Sequence, residues 1–141
     1  PADVYVDGYG GIDEVRWMMN PWSSAEPEEV REGCKSGSCL RVKGMGSGAG
    51  FHIYYRQAFA PTTFTTLHLS LRSASDPGDV SVAASGPDGS CTETPVTLDT
   101  TWKEVDIGLS ETCASQSAIN SVSVYGSSDL TLMVDELRFV L

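Results

Sequence analysis

Apolar and polar residues alternate along most of this chain. In TTLHLSLRS, Leu67, Leu69 and Leu71 share one side and His68, Ser70 and Arg72 the other. GFHIYYRQAF repeats the pattern, with Phe51, Ile53 and Tyr55 set against His52, Tyr54 and Arg56. The pairs Leu40/Val42, Val80/Val82, Val105/Ile107 and Val122/Val124 continue it. A period of two predicts half-buried strands. About nine short strands, separated by turn sequences such as DPGD and GPDG, predict an all-β sandwich or barrel in a single domain. Helix-like spacing is confined to SSAEPEEVREG, with Ser24 as cap, Pro27 and acids early, and Gly33 as stop. That stretch fits a solvated loop equally well. KGMGSGAG is glycine-rich but joins two strands, so it reads as a flexible loop at the rim rather than a phosphate cradle.

The closing segment LTLMVDELRFVL breaks the alternation. Leu130, Leu132 and Val134 point one way, and Leu137, Phe139 and Leu141 rejoin them only after a one-residue slip at Asp135–Glu136. A slip of one residue turns every later side chain over, so a β-bulge is expected there. Such a bulge aims a carboxylate at a metal ion or at the amides of a neighbouring loop. Asp135 as the cap of a turn is the simpler alternative.

Charge and cysteine content narrow the chemistry. The chain has 141 residues, 9 Lys plus Arg against 19 Asp plus Glu, and a formal net charge of −10. Nucleic acid and anionic membrane surfaces are poor partners for such a chain, because phosphate binding needs a basic patch. There is no apolar run of about 18 residues to span a membrane. Some carboxylates could hold a hard cation, and calcium fits oxygen ligands best. Cys34, Cys39, Cys91 and Cys113 lack zinc-ligand spacing. Two disulfides of a secreted or extracellular domain fit better, with Cys34–Cys39 and Cys91–Cys113 the favoured pairing of three, and reduced buried thiols the alternative. A start at Pro1 points to a mature protein or a domain cut from a longer one.

Several segments, in order, resemble carbohydrate-binding modules of the β-jelly-roll (galactose-binding-like) type. VYVDGYGG followed by Trp17, GSCLRVKG, TTLHLSLRS, LDTTWKEVDIGLS, and INSVSVYG ahead of VDELRF together span nearly the whole chain. The resemblance implies a single-domain jelly-roll sandwich over residues 1–141, acting as a monomeric module of a larger secreted protein. It also implies a structural Ca²⁺ between the first strand, the loop before the second, and the last strand. Asp7 and Asp135 would be its carboxylate ligands, with backbone carbonyls near Ser36 or Ser38. Glu136 and Asp13 are weaker candidates. DGYGG in place of the commoner Phe-Glu start departs from the family pattern at the first-strand ligand.

Sugars present polar edges and apolar C–H faces, so a protein grips them with aromatic platforms and a few polar side chains. Outward positions of one sheet supply His52, Tyr54, Arg56, His68, Arg72 and Tyr125. Trp17 and Trp22, in RWMMNPW, would line a loop at the rim or, equally for Trp17, pack in the core. The expected function is non-catalytic binding of a β-glucan or related polysaccharide. His52, Tyr54 and Arg56 are also residue types of a small polysaccharide lyase. A protein-binding adhesion sandwich is a third reading, since fold does not fix function. No pair of carboxylates or GxSxG motif assigns a catalytic residue.

Overall fold

The computed structural model describes residues 2–12 and 15–141. In chain order the strands are β1 (Ala2–Tyr5), β2 (Gly11–Ile12), β3 (Val15–Arg16), β4 (Met18–Trp22), β5 (Glu26–Val30), β6 (Cys39–Lys43) and β7 (Gly50–Phe59). They continue as β8 (Thr66–Ser73), β9 (Gly78–Gly86), β10 (Gly89–Ser90), β11 (Thr94–Leu98), β12 (Lys103–Gly108), β13 (Ile119–Gly126) and β14 (Leu132–Val140). A single helical turn, α1 (Leu109–Thr112), follows β12.

Two antiparallel sheets form the layers. One runs β12-β8-β14-β6-β5, with β1 also pairing β14. The other runs β10-β9-β13-β7-β4, with β11 also pairing β9. They are called here the β14 sheet and the β7 sheet. Their inner faces share one core, in which Leu67, Leu69 and Leu71 of β8 join Phe51 and Ile53 of β7 and Val122 and Val124 of β13. Each fully buried side chain of this size contributes about 1.5–3 kcal/mol. The alternation in the sequence and the burial in the fold therefore agree, and the protein is an all-β jelly-roll sandwich.

The parity break in β14 is a bulge. Asp135 lies opposite Ser70 but Arg138 lies opposite His68, so three steps on β14 face two on β8. Glu136 absorbs the extra residue in a left-handed conformation, φ 49°. Val134 and Leu137 are both buried as a result. Leu141 differs from expectation: it lies past the end of the strand and is exposed.

Three other segments depart from the sequence reading. SSAEPEEVREG contains neither a helix nor only loop; Glu26–Val30 form edge strand β5, antiparallel to β6. Pro27 is tolerated because an edge strand has an open side needing no donor. RWMMNPW is not a rim loop either, since Met18–Trp22 make the β4 edge of the β7 sheet. KGMGSGAG joins β6 to β7 as expected but sends Met45 and Ala49 into the core, leaving Gly44, Ser47 and Gly48 exposed. Both expected disulfides are formed, Cys34–Cys39 and Cys91–Cys113.

Candidate functional site

The outer face of the β7 sheet is ordered by strand register. Trp22, Gly50, Tyr125 and Ser81 lie abreast across β4, β7, β13 and β9. Asn20, His52, Ser123 and Ala83 form the next row, and Met18, Tyr54, Ser121 and Ser85 the one after. The aromatic side chains crowd toward β4 and β7. Trp22 and His52 have ring centroids 6.0 Å apart, and His52 and Tyr54 5.4 Å apart. The β13 and β9 part is a floor of small residues, on which Ser81, Ala83 and Ser121 are buried although they point away from the core.

These rings are held in place. The Trp22 indole N–H donates to the Gly48 carbonyl at 3.0 Å. A Cβ at Gly50 would stand 2.5 Å from the Val124 carbonyl oxygen, 2.7 Å from Trp22 Cζ2 and 2.8 Å from Tyr125 Cβ, so glycine here serves both the close strand packing and the seat of the indole. Asn20 and His52 approach at 3.3 Å, Nδ2 to Nε2. With Asn20 donating, Nε2 accepts, which requires a neutral ring; partial burial pushes the His52 pKa down and favours that form. The Tyr125 hydroxyl donates to the Glu93 carboxylate. Tyr54 and Arg56 border a depression of about 620 Å³ together with Val15, Arg16 and Met18.

His68 and Arg72 lie elsewhere. Both belong to β8 of the other sheet, so the expected track of six outward residues is divided between opposite faces of the sandwich. Alternation tells which side of its own strand a residue takes, but not which sheet the strand joins. His68 is held between Asp106 at 2.7 Å and Glu104 at 3.1 Å. Arg72 donates to the Gly33 carbonyl at 2.8 Å and lies over the Trp102 ring. Trp17 is in the core, with a ring centroid 5.2 Å from Tyr55 and 6.0 Å from Phe139. It also lines a 540 Å³ hollow shared with Tyr55, Phe59 and Phe64.

Residues 33–36 lie over the part of the β14 sheet's outer face around Asp135 and Arg72, while Arg41, Asp106 and Arg138 on the same face stay partly or fully open. Asp135 is fully buried beneath that segment. Its Oδ2 accepts the amides of Lys35 and Ser36 at 3.0 Å each, and its Oδ1 accepts the amide of Glu136 at 2.8 Å. Asp7 Oδ1 accepts the Ser38 amide at 3.1 Å. A Cβ on Gly37 would fall 1.9 Å from the same Asp7 oxygen. The four residues expected around calcium thus meet as carboxylates against N–H groups. Among the described residues, a cluster with metal-ligand character lies beside them instead, with ligand atoms of His68, Glu104 and Glu136 within 4.8 Å of one another. The Lys35 ammonium pairs with both of those glutamates. Asp13 lies outside the described residues.

Sequence reading missed Asn20, Gly50, Glu93 and the serine floor. Ser121 and Ser123 were within reach, since they alternate with Val122 and Val124. Gly50 and Glu93 act through neighbours distant in sequence, and no local pattern marks them.

This sandwich, with its outward aromatic row, has the fold of carbohydrate-binding modules. It is similar to the family 11 module of a cellulosomal cellulase from Clostridium thermocellum, at TM-score 0.59 and 14% identity over 92% of this chain and 89% of that one. It is also similar to a family 22 xylan-binding domain from Paenibacillus barcinonensis, at TM-score 0.59 and 12% identity over 86% and 85% of the two chains. A family 29 module variant solved with cellulohexaose gives TM-score 0.68 and 6% identity over 96% and 86%. No protein-family model matches the sequence, and no curated protein matches it, so the likeness is one of fold.

Proposed function

We propose that this chain is a non-catalytic carbohydrate-binding module that grips a polysaccharide along the outer face of its β7 sheet. The observation that carries this is the fixed row Trp22–His52–Tyr54 beside the buried serine and alanine floor. A pyranose ring lays its C–H face on such rings, while Asn20, Ser123, Tyr125 and Glu93 offer polar partners to its hydroxyl edge. The family 22 and family 29 neighbours, a xylan-binding domain and a module solved with cellulohexaose, support the same ligand class. Binding of this kind involves no covalent step. Two disulfides support an extracellular setting, in which the module would tether a larger protein to its polysaccharide.

We also infer that hydrogen bonds, rather than a calcium ion, hold the first and last strands to residues 34–38. Support comes from the donor set: the amides of Lys35, Ser36, Ser38 and Glu136 point at the carboxylate oxygens that a cation would need. Ser36 and Ser38 contribute N–H groups there, not the carbonyls a calcium site would use.

The test is affinity electrophoresis in gels containing soluble mixed-linkage β-glucan, xylan or glucomannan. Wild-type protein should be retarded by at least one polymer. Tyr54→Ala and Trp22→Ala should lose most of that retardation while keeping the wild-type melting temperature within a few degrees. Free migration of the wild type in every polymer would end this reading.

A further inference from the structure

The two ends of the aromatic row differ in charge. Among the described residues, four of the nine basic side chains, Lys35, Arg41, Lys43 and Arg138, pair with carboxylates. Arg72 is spent on the Gly33 carbonyl. Arg16 and Arg56, in contrast, border the same depression as Tyr54 and pair with no carboxylate among the described residues. The register of β7 against β13 slips between Tyr54 and Phe59, yet Arg56 lines the same depression as Tyr54, and both arginines are exposed. At the other end, Tyr125 is bonded to Glu93. Tyr54 and Gly50, the partner of Tyr125, are four residues apart on β7, about 13 Å along the strand.

Resting on the carbohydrate-binding reading above, we propose that Arg16 and Arg56 form a subsite for one anionic substituent, a uronic-acid carboxylate or a sulfate ester, on an otherwise neutral glycan. A guanidinium matches such an oxyanion with two parallel N–H donors, and a pair of them beside a stacking ring fixes both the charge and the sugar that bears it. The same geometry disfavours a continuous polyanion. A glycan charged at every unit would set an anion against Glu93 and meet the field of a chain with net charge −10. The ligand is therefore sparsely charged, and the polarity of the track gives its chain a preferred direction.

The experiment measures binding of the full chain by calorimetry to glucuronic-acid-substituted xylan, the same xylan after carboxyl reduction, polygalacturonate, and a lightly sulfated galactan before and after desulfation. Removing the acidic group from the polymer that binds should weaken binding about tenfold, the cost of one or more charge-assisted hydrogen bonds. Arg56→Gln and Arg16→Gln should weaken the acidic polymer to a similar degree and leave its neutral form unchanged. Whichever polymer shows this pattern identifies the anion as carboxylate or sulfate. Equal binding of acidic and neutral forms, with both arginine variants unchanged, overturns the subsite while leaving carbohydrate binding intact. Tighter binding to polygalacturonate than to the substituted xylan overturns sparse charge. Binding to none of the polymers, nor to the neutral glucans above, overturns both readings. Both arginines are exposed, so the variants are expected to melt with the wild type.

Discussion

Replacing Asp135 with alanine should be among the most damaging single changes in the protein. The residue is fully buried and its carboxylate accepts three backbone amides, from Lys35, Ser36 and Glu136. A hydrogen bond to a charged group contributes about 1.5–3 kcal/mol. Lys35 and Ser36 are exposed, so water recovers part of what their amides lose. The Glu136 amide sits in the bulge, where less recovery is available. Together these give a loss of roughly 3–5 kcal/mol for Asp135→Ala, a large part of the ~5–15 kcal/mol that holds a typical domain. For a chain of this size that is a fall of roughly 10–15 °C in melting temperature. Asp135→Asn keeps one acceptor oxygen but turns an NH₂ toward a donor, and should fall about halfway. Thermal unfolding followed by circular dichroism, in excess calcium and again in chelator, checks both parts. The wild type should melt at the same temperature in the two buffers. A drop of many degrees on chelation, or an alanine variant melting with the wild type, would refute the amide-held junction.

The two disulfides should contribute unequally. Replacing Cys91 and Cys113 opens a crosslink spanning 22 residues and should cost about 3 kcal/mol, whereas Cys34 and Cys39, 5 apart, should cost about 2 kcal/mol, both read from urea denaturation midpoints. Gly50→Ala should displace the Trp22 indole and strain the β7–β13 pairing, since the new methyl would lie 2.7 Å from Cζ2 and 2.5 Å from the Val124 carbonyl oxygen. Its tryptophan emission should shift to longer wavelength and its retention in β-glucan or xylan gels should drop; unchanged emission and retention would show that the platform does not depend on that glycine.

Much of the sandwich was legible because its central strands are buried on one face, which imposes strict alternation. Leu67, Leu69 and Leu71 announce β8, and the parity break at Asp135–Glu136 announces the bulge. The edge strands were not legible for the same reason. β4 and β5 pair with one neighbour and bury little, so MMNPW and EPEEV show no apolar period, and their prolines argue against a strand unless its edge position is known. The candidate site was half legible. Tyr54, His52 and Tyr125 emerge from alternation on β7 and β13. Their separation from His68 and Arg72 depends on the assignment of β8 to the other sheet, a long-range pairing that no local pattern encodes. Trp17 and Trp22 are five residues apart and look alike in sequence; one packs on Phe139 and the other lies over Gly50.

Those edge prolines have a consequence for how the protein behaves in company. An open strand edge invites a second chain to pair with it and extend the sheet. Pro21 on β4, Pro27 on β5 and Pro95 on β11 each remove a donor from an outermost strand. Of the other borders, β12 alternates Lys103, Glu104 and Asp106 with its buried residues, and β1 and β10 are only four and two residues long. If the protein binds a polysaccharide as proposed, copies crowded along one polymer, at local concentrations far above those in free solution, would therefore lie side by side without fusing into a common sheet.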